Sequence, residues 1–123
     1  MKMKARATLR EARLLADHGY WAGAANRAYY ALYQALVARC RRRGLRPADF
    51  GHFDARDPDR WPHWIFRRHA AAAGLNRRTA ALVLDAWAYR VRADYEPDPL
   101  PPMRVEGILT RVSSALAALE RPR

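Results

Sequence analysis

Residues 20–43 read YWAGAANRAYYALYQALVARCRRR. At about 100° per residue, Trp21, Ala25, Ala28, Leu32, Ala35 and Leu36 fall on one face, and Asn26, Tyr30, Tyr33 and Val37 on a second, roughly 140° away. A helix with two usable faces needs two neighbours: the core of a bundle, and something else. Gly44 and Pro47 stop it.

Working outward, the segment Lys2 to His18 predicts a helix with Ala5, Leu9, Ala12 and Ala16 on one stripe and Gly19 as its C-cap. Residues 44–62, with Pro47, Gly51, Pro58, Pro62 and several aspartates, predict a loop. A shorter helix is expected from Trp64 to Ala73, ended by Gly74. Asn76 is the expected N-cap of a helix from Arg77 to about Ala93 with stripe Ala80, Val83, Leu84, Trp87 and Val91. The run from Pro97 to Pro102 excludes helix. A last helix follows from Met103 to about Glu120, with stripe Val105, Ile108, Leu109, Val112, Leu116 and Leu119. The expectation is an all-α single domain over residues 1–123: an up-and-down four-helix bundle with an additional short helix.

The chain has 123 residues, half of them hydrophobic, which is enough to bury a core. It carries 23 Lys and Arg against 12 Asp and Glu, a net charge of +11, and only Lys2 and Lys4 of the basic residues are lysine. Arginine forks match phosphates and carboxylates in a bidentate way, so RNA or an acidic protein is the expected partner. Arginine-rich coding bias explains the same composition without a partner. No run of about 18 apolar residues exists, so no membrane span is expected. The basic N-terminus leads into an amphipathic segment rather than a signal peptide, and the single cysteine excludes an internal disulfide. Both point to a cytoplasmic protein.

The sequence holds no glycine-rich phosphate loop and no Cys or His cluster with metal-ligand spacing, so no cofactor or metal is expected. Cys40 sits among arginines that would stabilise a thiolate, though a small helix residue is the plainer reading. Two clusters stand out: Asn26-Arg27-Ala28-Tyr29-Tyr30-Ala31 in the second helix and Arg90-Val91-Arg92-Ala93-Asp94-Tyr95 at the end of the fourth. Their order and spacing resemble the signatures of bacterial and archaeal HEPN-domain proteins, small helical bundles often encoded beside a minimal nucleotidyltransferase. The resemblance covers nearly the whole chain.

The resemblance implies a metal-independent ribonuclease or toxin, often a homodimer whose cleft forms where two copies of the fourth-helix motif meet. The family's usual signature is an arginine followed a few residues on by a histidine. Arg90 matches the arginine, but Tyr95 stands where the histidine is expected. Attack by a 2′-hydroxyl needs a base and a cation for the developing phosphorane charge. Arg90 supplies the cation. Tyr95, with an ordinary pKa of about 10, is a poor base, and Asp94, at about 3.9, is ionised but weak. His63, in Arg-Trp-Pro-His, resembles a histidine found at a similar place in this branch and is the other candidate base. The pairs Arg13–His18, Arg46–His52 and Arg56–His63 have similar spacing, as chance predicts in so arginine-rich a chain.

Blander readings stand beside these. Arg90 and Asp94, four apart, would be an ordinary helical ion pair. Tyr29, Tyr30 and Tyr33 would be packing aromatics. Asn26, Arg27 and Tyr30, with Asp94 and Tyr95, would form a polar network joining helices two and four. The basic residues Arg39, Arg41, Arg42, Arg43 and Arg46, with Arg27 and Arg92, would bind nucleic-acid phosphates or face solvent at a helix C-terminus. Three functions follow: an RNA-targeting toxin or defence ribonuclease with Arg90, Asp94, Tyr95 and His63 as catalytic candidates; a non-catalytic partner of a nucleotidyltransferase or acidic antitoxin; or a basic nucleic-acid-binding bundle.

Overall fold

The computed structural model describes residues 2–96 and 99–121. Five α-helices follow one another: α1 (Lys2–Asp17), α2 (Trp21–Arg42), α3 (Trp64–Arg68), α4 (Arg77–Tyr95) and α5 (Pro102–Leu119). No strand occurs among the described residues. Within the proline run, Pro97 and Asp98 lie outside them, and Pro102, expected to be non-helical, is instead the first residue of α5, where its missing N–H would have had no helical partner. No helix among the described residues is long and apolar enough to cross a membrane.

α2 is the hub. It packs against α1, α4 and α5, as its two apolar faces require. The α1 interface is built from alanine: Ala5, Ala12 and Ala16 are buried on one helix and Ala24, Ala25, Ala28 and Ala31 on the other. Side chains that small let two backbones approach closely. The turn between the helices closes on Gly19, whose φ of +79° suits a residue without Cβ. One buried polar residue interrupts the α1 face. Thr8 Oγ1 lies 3.0 Å from the Lys4 carbonyl and 2.8 Å from Gln34 Oε1 on α2, and its single proton serves the shorter contact.

α5 buries every residue of its expected stripe, Val105, Ile108, Leu109, Val112, Leu116 and Leu119. Arg6 clamps Glu120 with a two-pronged ion pair at 2.9 Å, and Arg13 pairs with Glu106, so α1 and α5 are tied at both ends.

Three expectations need correction. The short helix ends at Arg68, not Ala73. Residues 70–74 form turns that close on Gly74 at a φ of +79°, with Ala73 buried in the core. Pro47–Phe50 form a 3₁₀ turn inside what the sequence reads as loop, started by proline and stopped by Gly51. On α4 the Asn76 side chain does cap the helix, accepting the Thr79 N–H at 2.8 Å. The buried arc, however, is Thr79, Leu82, Val83 and Ala86, while Leu84 is 53% exposed.

Candidate functional site

The second face of α2 meets α4 and the approach to α3. Tyr29, Tyr30 and Tyr33 fall on one side of α2 at helical spacing, and Trp87 and Arg90 sit one turn apart on α4. Between them stands His63, delivered by the Trp61–Pro62 turn that leads into α3. Its Nδ1 lies 2.8 Å from the Tyr29 hydroxyl. Its ring stacks on Tyr33 with centroids 4.1 Å apart and planes at 20°, and lies 5.4 Å from Tyr29 and 5.9 Å from Trp87. Tyr33 in turn donates to the Trp61 carbonyl, fixing the turn that carries the histidine.

Two guanidinium groups close the cluster. Arg90 lies 4.9 Å from the Trp87 ring, 5.3 Å from Tyr30 and 5.6 Å from Tyr29, and donates to the Tyr30 hydroxyl at 3.3 Å. Arg67, one turn after His63, lies 4.1 Å from the Trp87 ring. The Nε atoms of both arginines are buried without a hydrogen-bond partner, held against aromatic faces. Among the described residues no carboxylate pairs with either cation.

The electrostatics follow from burial and from that unbalanced charge. Burial, then the Arg90, Arg67 and Arg60 cations, push the His63 imidazole down to about 4, so it is neutral at physiological pH. Burial raises the Tyr29 and Tyr33 phenols against the pull of neighbouring arginines, so both keep their protons. The result is a neutral imidazole flanked by two cations on an aromatic floor, an arrangement that attracts an anion.

The sequence candidates divide. Arg90 and His63 converge, and Tyr30 joins them. Asp94 and Tyr95 do not: both are exposed, Tyr95 by 81%, at the solvent end of α4. The Arg90–Asp94 ion pair does not form; Arg90 turns inward onto the aromatic rings instead. The Asn26–Arg27–Asp94 network does not form either. Arg27 pairs with Glu11 at 3.4 Å and lies over Tyr30 at 5.3 Å, and half-buried Asn26 reaches solvent, which removes its need for protein partners. Arg92 pairs with Glu96, one turn along its own helix.

Much of the basic run serves the fold. Arg39 donates to the Gly74 carbonyl at 3.0 Å, Arg41 to the Asp59 carbonyl at 3.5 Å and Arg42 to the Leu119 carbonyl at 2.6 Å, where it caps the negative end of α5. The Arg43 guanidinium lies over Gly74, and Arg46 is exposed. Cys40 is buried and its thiol pushed up to about 11 by that burial, so it is no reactive thiolate. Among the described residues no group of three metal-ligating side chains occurs.

Arg67 and Trp87 are site residues that sequence reasoning missed. The one available signal for Arg67 was its position one helical turn after His63.

No family model matches the chain, and neither a curated protein nor a solved structure matches it.

Proposed function

We propose that the protein is an RNA-targeting helical bundle of the HEPN type, a toxin or defence effector that cleaves RNA without metal at the His63–Arg90 cluster. One observation carries this reading: Arg67, Arg90 and a neutral His63 share one aromatic cluster in which, among the described residues, no carboxylate pairs with the cations. An RNA phosphate supplies the missing negative charge.

The chemistry follows from the groups present. When the Tyr29 oxygen accepts from Nδ1–H, the Nε2 lone pair of His63 faces a ribose 2′-hydroxyl. A phosphate bound to Arg90 and Arg67 offsets the two cations that, after burial, hold the imidazole down, so His63 gains the basicity to take that proton only in the RNA complex. The 2′-oxygen attacks phosphorus, the bond to the 5′-oxygen breaks, and a 2′,3′-cyclic phosphate remains. Solvent protonates the departing oxygen. Arg90 and Arg67 offset the additional negative charge of the phosphorane. Tyr95 and Asp94 have no part in this step.

The α4 surface supports the dimer half of the reading. Ala81, Leu84, Ala88, Val91 and Tyr95 repeat at alternating steps of three and four, the spacing of a two-helix seam. Leu84 and Tyr95 are exposed on it. A second copy packed there would set two clusters side by side.

The test is a cleavage assay in EDTA. Wild type should release cyclic-phosphate ends. His63→Ala and Arg90→Ala should each lose about 100-fold or more. Cleavage that requires magnesium, or that is unchanged in Arg90→Ala, rejects the proposal. A non-cleaving reading, as a nucleotidyltransferase partner, is favoured by Tyr95 in the place of the motif histidine. RNA or protein binding that is lost in Arg90→Ala, with no cleavage by the wild type, would establish it.

A further inference from the structure

The aromatic cluster borders a groove. It has a volume of about 420 Å³, runs between α2 and residues 57–61, and shares Tyr30 and Tyr33 with the His63 cluster. Its chemistry is different. Beside the aromatic wall stand Gln34, the acidic Asp57 and Asp59, and the basic Lys4, Arg41 and Arg60. Where the cluster around Arg90 holds cations without carboxylates, this groove offers donors and acceptors together.

Part of its wall is held in place. Thr8, 5% exposed, directs its hydroxyl to Gln34 Oε1, so the Gln34 NH₂ is the end left for the groove. The opposite wall is pinned by the Tyr33 bond to the Trp61 carbonyl and by Arg41 on the Asp59 carbonyl. An aromatic wall with an amide donor and nearby carboxylates suits an unstacked nucleobase, which offers a ring face and a mixed hydrogen-bonding edge. Guanine fits best. Its adjacent N1–H and N2–H groups match one carboxylate in a bidentate way, and its O6 accepts from an amide N–H.

We infer that this groove is the base subsite of the same RNA site, selecting a guanine next to the phosphate held by Arg90 and Arg67. The inference rests on the RNA reading above, and it can be tested apart from it because a nucleoside carries no phosphate.

The experiment is saturation-transfer NMR in EDTA with guanosine, adenosine, cytidine and ribose 5-phosphate. Wild type should bind guanosine about tenfold or more tighter than the other two nucleosides. Gln34→Met, and separately the exposed pair Asp57→Asn/Asp59→Asn, should lose that preference and retain ribose 5-phosphate binding. Arg90→Ala should do the reverse. Equal binding of the three nucleosides, no nucleoside binding, or a guanosine preference untouched by both variants overturns the base subsite. Ribose 5-phosphate binding that survives Arg90→Ala overturns the phosphate assignment instead and leaves the guanosine result standing.

Discussion

The imidazole of His63 lies flat on the phenol of Tyr33, centroids 4.1 Å apart, while its Nδ1 reaches the Tyr29 hydroxyl at 2.8 Å. Stacking on one side and a hydrogen bond on another leave the ring a single orientation, with two guanidinium groups nearby. A charged imidazolium is unwelcome there.

The pH dependence follows with a definite sign. His63 sits near 6.5 in an unfolded chain and at about 4 in the folded one. As pH falls through that window the unfolded chain takes up a proton that the folded chain refuses, so stability declines from about pH 6.5 towards 4 and is level above it. His63→Phe should flatten the urea midpoint between pH 6.5 and 5. An NMR titration of the ring should show its midpoint well below 6; a midpoint at 6.5 would mean that neither burial nor the neighbouring arginines act on it.

Two arginines with different jobs can be separated. Arg67→Ala should weaken single-stranded RNA binding about fivefold to tenfold with little change in stability, because its cation has no carboxylate partner among the described residues. Arg42→Ala should alter RNA binding by less than about twofold yet lower stability by about 1 kcal/mol, through loss of the bond to the Leu119 carbonyl. Anisotropy titration and urea unfolding read the two effects. The opposite ranking would move the RNA contact to the basic end of α2.

The Thr8–Gln34 bond gives a double-mutant cycle. Thr8→Val leaves Gln34 Oε1 without its donor and should cost about 1–2 kcal/mol. Adding Gln34→Leu should recover part of that loss, since both polar groups then leave together. Strict additivity in chemical denaturation would show that the pair is not coupled.

The α4 seam predicts assembly. Leu84→Glu, at a position 53% exposed, should leave the helical signal and unfolding midpoint nearly unchanged while converting a dimer to a monomer in sedimentation. A wild type that sediments as a monomer at all concentrations removes the seam from the proposal.

The helices are legible because their stripes are. α5 reads correctly along its length, since one face alone is apolar. α4 is misread for the converse reason: Ala81, Leu84, Ala88, Val91 and Tyr95 on its outer side rival Leu82, Val83 and Ala86, and periodicity does not say which stripe turns inward. Arg90 and His63 each stand out in the sequence as separate features. Their meeting does not, because it depends on how the Trp61–Pro62 turn folds back over α2, and the Tyr33–Trp61 bond that fixes this spans 28 positions. Arg67 was hidden by the abundance of arginine around it.

Tyr29 is 2% exposed and belongs to the hydrophobic core, yet its hydroxyl also holds His63. A change there disturbs the packing of the core and the placement of His63 at once. The exposed 57–60 turn carries no such double duty, and substitutions there leave the bundle's interior untouched.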